Sequence, residues 1–354
     1  LVYFGGTFTY VGLLSGSGAP VDPAGGVPVA AYPRVDGAIY SAVPDGAGGW
    51  YLGGSFSQVA GQPRQNLAHV LANLAVDPVA PGIQGPVTSL AVLDGALYVG
   101  GAFGAVSDAQ GVTFGRKNLA AFDVSGAVTA FDPAPDGPVN ALVASQGRIY
   151  AGGSFSNLNT DTGYWTPSRN LAVFQAATGM TLPFGVQADG PVSALLLDPA
   201  SGDLYLGGYF QNVLQNGNWQ TQPYAAALDS GSGQLQSFAP ILDGPVTALA
   251  VAGGQVFLGG QFTSVAGAPR NGLAQVSAGL GIATDWDAQL QAGAQVHSLA
   301  VQNGTLYVGG DFTQAQGIPR AYAAAFSTAD GNLSPWDPAA DRPVDALAPG
   351  ALGI

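Results

Sequence analysis

The chain has 354 residues, 54 of them glycine and 25 proline, with no cysteine and a formal net charge of −13. Only 9% of residues are charged and 47% are hydrophobic, which excludes a self-repelling disordered chain. The acidic balance argues against nucleic acid and anionic lipid, whose phosphates need Lys and Arg, and the missing cysteines remove disulfides, thiolate nucleophiles and zinc–thiolate sites.

Every acidic residue is Asp, a turn and cap former, and no Glu is present to favour helices. No run of about 18 apolar residues marks a membrane-spanning helix. The first element, "LVYFGG" at Leu1–Gly6, reads as a strand from its first residue and carries no initiator Met. The chain is therefore expected to be a processed or excised part of a longer one. The same phrase returns as "WYLGG" (Trp50–Gly54), "LYVGG" (Leu97–Gly101), "LYLGG" (Leu204–Gly208) and "LYVGG" (Leu306–Gly310). With the less regular copies, glycine pairs stand at 5–6, 53–54, 100–101, 152–153, 207–208, 259–260 and 309–310, which defines seven units. A period near fifty built from short strands is the mark of propeller blades rather than of a helical solenoid.

The sixth unit shows the grammar. "GPVTALAV" (Gly244–Val251) is a first strand, "VFLGGQF" (Val256–Phe262) a second and "NGLAQV" (Asn271–Val276) a third, and a fourth is expected near "ATDWD" (Ala283–Asp287). In the third unit "PVTSLAV" (Pro86–Val92) is apolar on both faces, as a strand between two neighbouring sheets must be. The glycine pair is expected where adjacent sheets crowd or the strand bends. The Phe two residues beyond each pair (Phe8, Phe56, Phe103, Phe155, Phe210, Phe262 and Phe312) is expected to fill the wider gap. At the far end, "RPVDALAPG" (Arg342–Gly350) repeats the first-strand pattern and supplies the strand missing before Leu1. The expected fold is one all-β domain, 1–354: a seven-bladed β-propeller of four-stranded antiparallel blades. The C-terminal strand pairs in the blade begun by the N-terminus, which closes the ring and leaves no open edge.

The phrases "YLGGSFSQVAGQPRQNLAHV" (Tyr51–Val70) and "LYVGGDFTQAQGIPRAYAAAF" (Leu306–Phe326) share the pattern GGxF…PRxxLA. In this the chain resembles the delta-sixty repeat, a domain-of-unknown-function β-propeller repeat of large bacterial surface and secreted proteins. "VPDGAGGWYLGG" (Val43–Gly54) resembles a recurrent junction of such proteins. The resemblance spans nearly the whole chain and implies a propeller in an extracellular setting; it transfers no catalytic residue. The chain departs from the pattern in the fifth unit, where Tyr224 stands at the usual Arg, and in the first, which has no Arg there.

Features present once per unit read as architecture. Arg64, Arg116, Arg169, Arg270 and Arg320 are expected to tie loops to carbonyls or to a repeated Asp. Asp136, Asp189 and Asp243 in "DGPV", and Asp77, Asp132 and Asp337 in "DP", have the form of turn residues. His69 on a third strand and His297 on a first strand lack metal-ligand spacing. No G-x-S-x-G elbow or phosphate loop is present. The first-strand column Tyr40, Thr88, Asn140, Ser193, Thr247, His297 and Asp345 varies in character. It faces either a central channel or the interface between blades.

Function is sought where units depart from one another. The loop after the second strand is lengthened in three consecutive units, at Gly104–Lys117, Ser156–Ser168 and Gln211–Pro223, so these insertions are expected to form one patch. Phe114, Tyr164, Trp165, Asn218 and Trp219 in it have the aromatic and amide character suited to a glycan or a protein. Asn157, Asn159 and Asp161 alternate loosely like a calcium loop and make a weak calcium site; no other cofactor is expected. The resulting expectation is a non-enzymatic extracellular or cell-surface binding or structural module. Its partner is a protein or glycan, with no nucleic acid and no direct membrane insertion. Two alternatives stand beside it: a carbohydrate-active enzyme using an Asp pair, and a purely structural subunit of a surface assembly.

Overall fold

A computed structural model describes residues 2–7, 16–28, 32–79, 81–159 and 165–350, the last range without the side chain of Trp165. The described residues are all-β, with many small antiparallel sheets and no helix. Seven three-stranded sheets share one plan, in which the glycine-pair strand is the middle member. In the third unit Ala96–Gly101 lies between Val87–Leu93 and Leu119–Phe122. The first unit is assembled from both ends of the chain: Val2–Gly6 pairs with Gly18–Val21 on one side and with Val344–Pro349 on the other.

The expected fourth strand is reduced to a single bridge in every unit, as in Val276↔Ala283 and Phe326↔Leu333. Prolines follow closely in these segments, at Pro78, Pro133, Pro240 and Pro338. Proline offers no N–H to a ladder, which limits further pairing in those four units.

The glycine pairs have two distinct tasks. A methyl group on the first glycine would meet the first strand of the following sheet: Gly100 faces Val139 Cγ1 at 2.7 Å, Gly207 faces Val246 Cγ1 at 2.7 Å, and Gly5 faces Ile39 Cγ2 at 2.8 Å. Taken in chain order these contacts lead from each sheet to the next. The last, Gly309 against Val344 Cγ1 at 2.6 Å, leads back to the sheet that holds Val2. The second glycine sits at a bulge, where the register with the first strand slips by one residue. There Gly101 lies against the carbonyl oxygen of Pro86, too close for a side chain.

Between the sheets lies the apolar core. Phe56, Phe103, Phe155, Phe210, Phe262 and Phe312 are all buried, as their spacing from the glycine pairs requires, while Phe8 lies outside the described residues. Tyrosines of the middle strands cross from one unit to the next: Tyr98 donates its hydroxyl to Ala176 O, Tyr150 to Ser230 O, Tyr205 to Ala278 O and Tyr307 to Pro23 O.

The repeated charges are used as ties. Arg64 donates to the carbonyl of Asp77, Arg116 to Thr129, Arg270 to Thr284 and Arg320 to Ser334, which fastens the loop after the second strand to the segment after the third. Asp36, Asp136, Asp189 and Asp243 each accept two backbone N–H groups from that same loop. Burial pushes the Asp243 carboxyl up, but the Thr263 hydroxyl and the N–H groups of Thr263 and Ser264 outweigh it and hold the group at about 2. With a depressed folded value, Asp243 adds stability above the ordinary carboxylate range and loses it as pH falls towards about 2.

Candidate functional site

Two places depart from the repeat, and the bulge creates the first. On each first strand it falls at the variable column, so that Thr88 is skipped between Val87↔Gly101 and Ser89↔Gly100, and Asp345 between Val344↔Gly6 and Ala346↔Gly5. A bulge turns the extra residue out of the ladder. Here it turns six of the seven column side chains (Tyr40, Thr88, Ser193, Thr247, His297 and Asp345) into one shared cavity of about 280 Å³ between the first strands. Both positions foreseen for this column are occupied at once, because the side chains also bridge adjacent sheets. Thr88 donates to Val139 O at 2.6 Å, Thr247 to Val296 O at 2.8 Å and Asn140 to Val192 O at 3.3 Å. His297 Nδ1 lies 2.9 Å from Asp345 Oδ1.

The second place is His69, facing Tyr51 where other third strands carry residues such as Ala121, Val173 or Ala325. Its Nδ1 is 2.7 Å from Asp77 Oδ2 and its Nε2 is 2.9 Å from Asp45 Oδ2. The Tyr51 ring stacks on it with centroids 4.2 Å apart. Burial raises the Asp45 carboxyl, but His69 and the N–H groups of Ala47 and Gly49 outweigh burial and hold it below the usual range. All three polar side chains are largely buried, at 16% exposure for His69, 7% for Asp45 and 18% for Asp77. Removing one partner from such a cluster leaves uncompensated charge. His69→Leu is therefore expected to cost about 3 kcal/mol, measured by urea denaturation; His69→Leu as stable as the parent chain would show that the two carboxylates do not need the imidazole.

The insertions form or extend small hairpins beside the main sheets. Ala105–Ser107 pairs with Thr113–Gly115, Asn157–Asn159 with Trp165–Pro167, and Asn212–Gln215 with Asn218–Thr221. Among the aromatic residues singled out, Phe114 is half-buried against the core around Val106 and Phe122, so it anchors its own loop. Trp219 is 43% exposed and Asn218 is exposed beside it. Trp165 opens a strand through its backbone, while its side chain, Tyr164 and Asp161 lie outside the described residues. Asn157 donates its amide to Asp136 Oδ2 at 2.8 Å, and the backbone N–H of Asn159 donates to Ala134 O. Among the described residues no group of three or more His or Asp is arranged to hold a metal ion.

Sequence reasoning passed over the Asp45–His69–Asp77 cluster. The signal was a lone His in a column of mostly small apolar residues, but its two Asp partners lie 24 and 8 residues away in turns that read as ordinary.

No family model matches the chain, and no curated protein matches it. Among solved structures, the crystal structure of the computationally designed Ika4 protein is similar over 54% of this chain and 92% of its own, at 16% identity and a TM-score of 0.35, a likeness too slight to carry an argument.

Proposed function

We propose that this chain is a seven-bladed β-propeller of the delta-sixty kind, working as a non-enzymatic binding module at a cell surface. Its partner, a protein or glycan, is contacted through the insertion hairpins of the third to fifth units. The ring is supported by the cyclic order of the glycine contacts and by the sheet shared between the two chain ends. The binding role is carried by one observation: on the fifth-unit hairpin, Asn218–Thr221 is exposed along its whole length, and Trp219 stands in it among polar neighbours. Exposed large aromatics flanked by amides are the usual anchors of recognition surfaces.

The enzyme alternative calls for a pair of carboxylates converging on an open cleft. Asp45 and Asp77 do converge, but both are bonded to the imidazole between them, which leaves neither available as acid or base. This favours binding over hydrolysis.

Screening the protein against glycan arrays and bacterial surface extracts should reveal a partner whose affinity falls about tenfold or more in Trp219→Ala, a loss of about 1.4 kcal/mol. Equal binding by the parent and Trp219→Ala would remove the hairpin from the account.

A further inference from the structure

The cavity between the first strands follows a rule in three units and departs from it in the other four, three of them consecutive. In the third, fourth and sixth units the bulged side chain is a neutral Thr or Asn that donates to the next sheet's backbone carbonyl. A purely structural ring would repeat this all the way round. In the seventh, first and second units, which follow one another across the junction of the chain ends, the same position holds His297, Asp345 and Tyr40. Not one of the three makes the carbonyl bond. Asp345 has no proton to donate, and His297 turns to Asp345 instead.

The exchange leaves groups facing the cavity with nothing to do for the fold. Among the described residues, Asp345 Oδ2, the Tyr40 hydroxyl and the Ser193 hydroxyl have no hydrogen-bond partner, and all three residues line the cavity. Asp345 is the only carboxylate among its described lining residues. Because Asp345 accepts from Nδ1, the hydrogen bond also fixes the orientation of the His297 ring.

We propose that this cavity is a binding site for a small organic cation, a primary ammonium on a short carbon chain. The ammonium sits at Asp345 Oδ2 and the stem lies along the Tyr40 ring. An ammonium has three donors and no acceptor, which suits the unsatisfied carboxylate oxygen of Asp345. Its bond to a carboxylate is charge-assisted and about twice as strong as a neutral one, and an aromatic ring beside the carboxylate adds cation–π attraction. The net charge of −13 draws cations towards the protein. At about 280 Å³ the cavity lies just below the usual range of about 300–1,000 Å³ for drug-sized ligands, so the ligand is small. The site is separate from the insertion hairpins and does not depend on the surface role proposed for them.

The test is titration of the whole chain, carrying isotope-labelled His and Tyr, with n-butylamine and, as its neutral counterpart, n-butanol, followed by NMR. Saturable shifts of the His297 and Tyr40 ring signals with n-butylamine and none with n-butanol are expected. Asp345→Asn, which keeps an acceptor for His297 while removing the charge, should weaken n-butylamine at least tenfold. Tyr40→Leu should weaken it several-fold, and Trp219→Ala should leave it unchanged. Equal shifts with alcohol and amine, or undiminished amine binding in either Asp345→Asn or Tyr40→Leu, would overturn the proposal. Tyr40→Leu carries the test alone if Asp345→Asn does not fold.

Discussion

Removing the chain from Val344 onwards is expected to abolish cooperative unfolding, or to lower stability by at least about 5 kcal/mol, close to the whole margin of an ordinary domain. The segment leaves a gap in two directions. Within its own sheet, Val2–Gly6 loses the partner that runs from Val344 to Pro349. Between sheets, Val344, Ala346, Leu347 and Ala348 are all buried, and the loss of several such side chains removes about 1–3 kcal/mol each. Leu347 also donates its backbone N–H to Ser298 Oγ at 2.8 Å, and Gln302 donates to Gly350 O at 2.7 Å, so the seventh unit is damaged along with the first. The edge of Val2–Gly6 would then be open to other chains. Urea denaturation with size-exclusion chromatography reads both effects; a truncated chain that stays monomeric and unfolds at the parent midpoint would contradict the shared sheet.

The second large effect is expected at the glycine pairs. Gly101→Ala should cost about 3 kcal/mol or more, because the methyl would collide with the carbonyl oxygen of Pro86, with Val87 Cα only 3.1 Å away. Both are backbone atoms inside a paired ladder, so the collision cannot be relieved by rotating a side chain. Gly104→Ala, three residues on, has nothing within 4 Å of the new methyl and should change stability by less than about 0.5 kcal/mol. Thermal denaturation of the two variants side by side separates a steric role for the pair from a general preference for glycine; equal midpoints would remove the steric explanation.

How much of this was legible in the sequence follows from what the period carries. Seven glycine pairs at fifty-residue spacing, each with a Phe two residues on that is buried in the six units where it is described, disclose three strands per unit, and the pattern of Arg342–Gly350 locates the strand that pairs with Val2–Gly6. The fourth strand was misread because "ATDWD" has strand-like composition, while the prolines and Asp turns of these segments decide how far pairing extends. The two functions of the pair, crowding by Gly100 and bulging at Gly101, are invisible in the letters, since one is a contact between units and the other a slip of register within a sheet. The insertions were legible as departures in length, and Trp219 does stand outside, whereas Phe114 faces inward because a loop must also bury something of its own. The His69 cluster and the His297–Asp345 pair escaped notice because their partners meet only through topology, the latter across 48 residues.

The central claim is that fifty-residue units form a ring whose two ends share one sheet. Through-space amide contacts in a deuterated sample test it most directly. Cross-strand NMR contacts between Tyr3 and Ala348 and between Phe4 and Leu347, with slow exchange of the amides inside that ladder, are the predicted result. Absence of those contacts, with the amides of residues 344–349 exchanging as freely as an unpaired tail, would contradict it.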